Sequence, residues 1–142
     1  MTSSPLPTSV EWVQAHAERG LASTLGIHVI ELTASRVVAT MPVDDRTRQP
    51  FGILHGGASL ALAETVASLG ATLNVDRESS NVVGIEINAN HIRAKQDGMV
   101  TATGTPVHVG RSTQVWEIRI VDESERLVSL SRCTLTVVPN RR

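Results

Sequence analysis

The stretch from residue 56 to 75 constrains this chain more than any other: it holds no proline, is rich in Ala, Leu, Ser, Thr and Val, and carries a single ionisable side chain, Glu64. Good helix formers dominate from residue 58 to about 73, which predicts one long helix. After a polar break at 76–81, four strand-like runs follow, at 82–93, 99–109, 112–121 and 127–138. In the third, Trp116, Ile118 and Ile120 fall on one face and Glu117 and Arg119 on the other, the alternation of a half-exposed antiparallel strand. A four-stranded antiparallel meander needs a cover for its apolar face, and the long helix is the only element able to supply it. The fold class is therefore α+β.

The residues before the helix add smaller elements. The spacing of Thr8 and Glu11 is that of a capping box, predicting a short helix that runs toward Gly20 and is anchored by Trp12, Val13 and Leu21. Residues 26–32 and 36–43 read as a β-hairpin whose second strand aligns Val37, Ala39, Met41 and Val43 on one face. The charged stretch 44–54, with Gln49, Pro50 and Gly52, reads as a loop leading straight into His55-Gly56-Gly57.

At 142 residues the chain suits a single domain, 1–142, with residues 1–23 as an N-terminal extension bearing the short helix. Nucleic acid is excluded as a partner on two counts: the formal charge is −1 with no basic run beyond Arg141-Arg142, and Trp12, Phe51 and Trp116 are the only aromatic side chains. Cys133 alone forms neither an internal disulfide nor a cysteine zinc cluster, and it is expected in the core. The N-terminus lacks the basic and apolar regions of a secretory signal, and no segment has the length and apolarity of a membrane span. A cytoplasmic protein with no membrane partner is the expectation.

The chemistry-bearing features gather on the long helix. Its neighbours at helical spacing from Glu64, namely Leu60, Ala61, Ala67 and Ser68, are all neutral, so no ion pair along the helix accounts for the carboxylate. One reading puts Glu64 at a solvent-facing helix edge. Because the helix is apolar nearly all round, the expectation is instead a buried, desolvated carboxylate poised as base or nucleophile. Gly56-Gly57 opens the helix, where unpaired backbone N–H groups and the positive dipole end favour a developing oxyanion. Eight residues at about 1.5 Å rise separate Gly56 from Glu64 by about 12 Å along the axis, too far to act on one carbonyl within one chain. The spacing predicts a two-fold dimer with composite sites. His91, Arg93 and Arg111 are candidate clamps for a phosphate-bearing ligand.

These residues also carry a family resemblance. Residues 49–57, Gln-Pro-Phe-Gly-Ile-Leu-His-Gly-Gly, with Glu64 and Ser68 downstream, closely resemble the hotdog-fold acyl-CoA thioesterases of the glutamate-dependent 4-hydroxybenzoyl-CoA branch, and so do residues 83–93 and 107–116. Within that branch the chain is similar to the thioesterases of 1,4-dihydroxy-2-naphthoyl-CoA and of enterobactin proofreading. The resemblance implies an antiparallel sheet wrapped around one central helix and hydrolysis of an aromatic or medium-length acyl-CoA without metal or redox cofactor, coenzyme A being part of the substrate. It further implies Glu64 as nucleophile or general base, the Gly56 amide as oxyanion donor, Gln49 and His55 as orienting groups, and Ser68 beside the water or acyl ring. Val83, Asn90, His91, Arg93, Gly110, Arg111 and Ser112 match positions that contact coenzyme A, and the implied assembly is a homotetramer built from two dimers. The alternatives within this fold are a non-catalytic acyl-CoA-binding protein and an enoyl-CoA hydratase. The second usually needs an Asp/His pairing that this sequence lacks, and the first has no use for a lone helix carboxylate.

Overall fold

The computed structural model describes residues 8–16 and 19–140. In chain order the elements are α1 (Val10–His16), α2 (Leu21–Thr24), β1 (His28–Leu32), β2 (Val37–Pro42), α3 (Gly56–Thr72), β3 (Ser80–His91), β4 (Met99–Val109), β5 (Thr113–Val121) and β6 (Leu127–Pro139). All strand pairings are antiparallel, and the six-stranded sheet has the order β1-β2-β4-β5-β6-β3. The sheet wraps α3, as the hotdog arrangement requires.

The inner face follows from the two-residue period of each strand. Val37, Ala39 and Met41 on β2, Val100 and Ala102 on β4, Trp116, Ile118 and Ile120 on β5, and Cys133 and Leu135 on β6 are fully or almost fully buried beneath the helix. From α3 they meet Leu62, Ala63, Val66, Ala67 and Ala71. Each large aliphatic side chain so buried contributes about 1.5–3 kcal/mol through its lost contact with water. Polar side chains share the buried face: the Ser129 and Ser131 hydroxyls on β6 have no partner among the described residues, whereas Gln114 is satisfied, donating to the Ala71 carbonyl at 3.1 Å and accepting from Trp116 Nε1 at 3.1 Å. Ala71 lies in the last turn of α3, where its carbonyl also accepts from the Asn74 N–H at 3.1 Å, and the bond from Gln114 fastens this helix end to the sheet.

Three expectations need correction. The four C-terminal strands do not form a continuous meander. Only β4, β5 and β6 are sequential neighbours, because residues 92–98 carry the chain across to β2 and leave β3 beyond β6 as an edge strand. Alternation specifies which face a strand buries and is silent about its neighbour. At the N-terminus, Ser9 rather than Thr8 caps α1: its hydroxyl accepts from the Trp12 N–H at 3.2 Å. Leu21 is 64% exposed and anchors nothing, whereas Val13 packs against the core. The helix is described to His16, and residues 17–18 lie outside the described residues.

Among the described residues no helix is long and apolar enough to cross a membrane.

Candidate active site

The loop before α3 is a folded device. Thr47, 1% exposed, donates from its hydroxyl to the Pro42 carbonyl at 2.7 Å, and its own carbonyl accepts from the His55 N–H at 2.8 Å. The Gln49 N–H reaches the Ile53 carbonyl at 2.9 Å, and the Leu54 N–H reaches the Lys95 carbonyl at 2.7 Å. His55 is thereby held as the N-cap of α3. Its Nδ1 accepts from the Gly57 N–H at 2.8 Å, which places the proton of a neutral ring on Nε2. With Gly57 so capped, and Ala58 and Ser59 bonded to the His55 carbonyl, the Gly56 N–H has no acceptor among the described residues. It is an unpaired donor at the positive end of a 17-residue helix.

A cleft of about 330 Å³ opens at this helix end, lined by Gln49, Gly56, Ser59, His91, Arg93 and Val128 among others. The Gln49 side-chain Oε1 accepts from the Phe51 N–H, so the donor end of the side-chain amide has no partner in its loop. His91 closes on Gly56 so tightly that a Cβ there would stand 2.7 Å from its Nε2. A glycine is what lets the ring and the helix end meet. β3 ends at His91, so Arg93 belongs to the bend that follows and not to one strand face with His91. The two still line the same cleft.

Glu64 lies elsewhere. Its Oε1 rests on Gly84 of β3, where a Cβ would come within 2.7 Å. Within one chain Glu64 is exposed, contrary to the expectation of a buried carboxylate. The reason is geometric: Glu64 lies on the side of α3 next to β3, and β3 is the last strand of the sheet, so within one chain no further strand covers the carboxylate. The charge is felt inside nonetheless. Burial, and then the nearby carboxylates of Glu64 and Glu86, push the Cys133 thiol up to about 11, so this 1% exposed cysteine stays a neutral core residue.

The residues expected to hold coenzyme A divide likewise. Val83 adjoins Gly84 and pairs with Thr136, whose hydroxyl donates to the Ser112 carbonyl at 3.2 Å, so the turn of Gly110, Arg111 and Ser112 belongs to the Glu64 end of β3. Asn90, His91 and Arg93 belong to the Gly56 end. The structure thus gathers Gln49, His55, Gly56, His91 and Arg93 at one end and Glu64, Ser68, Val83 and Arg111 toward the other. Gly84 was not singled out from sequence, although a glycine amid Val82, Val83 and Ile85 signals a close approach within a strand. Among the described residues no three His, Cys, Asp or Glu side chains are grouped to hold a metal.

Residues 51–129 match the family model described as the thioesterase superfamily. The chain belongs to that family. This thioesterase is 47% identical over 123 residues to a 1,4-dihydroxy-2-naphthoyl-CoA hydrolase of Listeria monocytogenes, covering 87% of this chain and 99% of the relative. It is 43% identical over 130 residues to the enzyme of the same name in Escherichia coli, covering 92% and 95%. Among solved structures, a thioesterase of Haemophilus influenzae superposes with a TM-score of 0.87 at 45% identity, covering 92% of this chain and 91% of the other. A variant of a Pseudomonas aeruginosa thioesterase superposes with a TM-score of 0.90 at 39% identity, covering 98% of each. The hotdog fold and the enzyme class, thioester hydrolysis, follow from these likenesses.

Proposed function

We propose that this thioesterase hydrolyses an aromatic or medium-length acyl-CoA at composite sites, each combining Glu64 of one subunit with Gln49, His55 and Gly56 of its partner. The observation that carries the reading is the placement of the two half-sites. Glu64 rests on Gly84 and Gly56 on His91, and the midpoint of Gly84 and His91 along β3 falls at Ile87–Asn88. β3 is a 12-residue edge strand with a free side, and a strand of that length rarely stays unpaired. Antiparallel pairing of two copies about a two-fold axis at 87–88 sets Gly84 of one opposite His91 of the other, and so carries each Glu64 toward the unpaired Gly56 N–H of its partner. The same rotation unites Val83, Gly110, Arg111 and Ser112 with Asn90, His91 and Arg93 as one coenzyme A surface. Two such dimers make the tetramer.

In this site Glu64 takes a proton from water as the oxygen adds to the thioester carbonyl carbon. The Gly56 N–H holds the resulting oxyanion, with Gln49 and His55 steering the carbonyl toward it. Collapse breaks the carbon–sulfur bond, and the proton on Glu64 passes to the departing thiolate, giving free acid and coenzyme A. Direct attack by Glu64, with a mixed anhydride that water then opens, balances equally well. Two of the relatives are named for hydrolysis of an aromatic acyl-CoA, which supports an aromatic substrate. The test is thiol release from a panel of acyl-CoA thioesters by the native protein and by Glu64→Gln. A folded native protein that releases no thiol from any of them, or a variant as fast as the native protein, overturns the proposal.

A further inference from the structure

Residues 92–98, between β3 and β4, belong to no helix or strand, yet they join the two walls of the cleft at the N-terminus of α3. They continue from His91, and Ile92, Arg93 and Ala94 line the cleft beside it. Their carbonyls in turn hold the loop that carries Gln49 and His55. Lys95 accepts from the Leu54 N–H at 2.7 Å, Gln96 from Arg48 Nε at 2.7 Å, and Gly98 from the Val43 N–H at 2.8 Å. One carboxylate fastens this segment. Glu123, in the turn between β5 and β6, binds Lys95 Nζ through Oε2 at 2.7 Å and accepts from the Met99 N–H through Oε1 at 2.7 Å. Lys95 is the chain's only lysine, and its side chain is 13% exposed. An ammonium so far withdrawn from water needs its counter-charge in place. Gly98, at φ +78°, leaves the space that the carboxylate occupies, since a Cβ there would collide with Oε1.

We infer that Lys95 and Glu123 are positioning residues for thioester hydrolysis: their ion pair sets segment 95–99, and through it the orientation of Gln49 and His55 on one wall of the cleft and of Arg93 on the other. The inference rests on that cleft being the half-site proposed above. The path from the ion pair to the reacting end is short. Leu54, held by the Lys95 carbonyl, directly precedes His55, whose Nδ1 caps the Gly57 N–H beside the unpaired Gly56 donor. An ion pair between two exposed side chains contributes little. Here one partner is largely buried and both carboxylate oxygens are engaged, one of them by backbone, so losing the pair moves the chain and not merely a side chain.

The experiment measures kcat and KM for benzoyl- and octanoyl-CoA, and for the same acyl groups on N-acetylcysteamine, in the native protein, Lys95→Met, Glu123→Gln and the double variant, with thermal unfolding alongside. Methionine keeps the buried stem and glutamine keeps an acceptor for the Met99 N–H, so each substitution removes the charge interaction and little else. The expected result is that each single variant lowers kcat about tenfold on thioesters with and without the nucleotide, since displacing a reacting group by about 1 Å costs up to about 10²-fold. The double variant loses no more than either single one, because both break the same contact. An ion pair that only stabilised the fold would lower the unfolding midpoint and leave kcat of the folded protein at its native value. Native kcat in either folded variant, or losses that multiply in the double variant, therefore overturns the inference, while native thioester hydrolysis leaves the half-site reading standing. Should one single variant fail to fold, the other decides. A native protein inert toward all four thioesters overturns the half-site reading, and this inference with it.

Discussion

The carboxylate of Glu64 rests directly on the backbone of Gly84, with no room between them for a single added carbon. A β-bulge marks the same place, since the register of β3 against β6 shifts between Gly84 and Glu86. Strand β3 thus serves the carboxylate twice, by lacking a side chain where it lies and by bending there.

Replacing Gly84 with Ala puts a Cβ 2.7 Å from Oε1, and the carboxylate must swing away. Because misplacing a reacting group by about 1 Å costs up to about 10²-fold, we expect kcat to fall at least about tenfold with little loss of stability. Steady-state kinetics alongside thermal unfolding check this. Native kcat in Gly84→Ala would mean that Glu64 need not rest where it does.

The helix-to-sheet contact gives a stability prediction free of catalysis. A Cβ on Gly70 would meet Trp116 Cη2 at 2.3 Å, and Trp116 is fully buried with its indole nitrogen bonded to Gln114. The ring has nowhere to retreat. Gly70→Ala is expected to destabilise the fold by about 1–3 kcal/mol, the usual cost of overpacking and the opposite of what alanine does in an exposed helix. Urea denaturation measures it.

Much of this was legible in the sequence. The long helix expected at 58–73 spans Gly56–Thr72, and the run expected at 127–138 is Leu127–Pro139. Periodicity supplied both, because burial of one face dictates it. What periodicity lacks is any record of neighbours, which is why the crossing of β3 to the far edge and the exposure of Glu64 were missed together: the second follows from the first. The pairing of His91 with Gly56 and of Glu64 with Gly84 joins residues some twenty or more positions apart, and a single sequence offers no spacing rule for such contacts. The axial separation of about 12 Å between Gly56 and Glu64 needs only the helix rise, and α3 holds both residues.

Stability should fall on acidification in a way that one carboxylate dominates. Glu123 binds Lys95 Nζ at 2.7 Å and accepts from the Met99 N–H at 2.7 Å, and these bonds hold its carboxyl down to about 2 from an ordinary 4.5. The unfolded chain binds the proton first. Its stabilising contribution is therefore present above about 4.5 and disappears as pH falls toward about 2. Asp44, lowered chiefly by Arg46, and Asp122, lowered chiefly by the Arg126 N–H, act in the same direction. Glu123→Gln should lose less stability than the native protein between about pH 5 and pH 2 when denaturation midpoints are compared. Parallel acid limbs for the two proteins would contradict the assignment.

Arg93 and Arg111 stand at opposite ends of β3, so the composite site requires them to meet one coenzyme A from two subunits. Arg93→Ala and Arg111→Ala are each expected to raise KM for an acyl-CoA far more than for a short thioester without the nucleotide, with kcat little changed. Equal effects on the two thioesters would mean that neither arginine holds the nucleotide.

The decisive test of shared sites uses two inactive proteins. Glu64→Gln removes the base and should cost about 10²-fold or more in rate, and Gln49→Ala removes a group from the other half-site. Unfolded and refolded together in equal amounts, they form mixed dimers in about half of all pairings. If Gln49 of one subunit serves Glu64 of the other, every mixed dimer has one site carrying both lesions and one carrying none. Activity should then recover to roughly a quarter of the native value, half of the dimers having half of their sites intact. A site built within one chain gives every subunit one lesion, and mixing restores nothing. Mass spectrometry of the intact assemblies shows whether mixed dimers formed. If they did and activity stayed flat, the β3-paired composite site is wrong, while the membership of the family stands and the identity of the base rests on the Glu64→Gln assay alone.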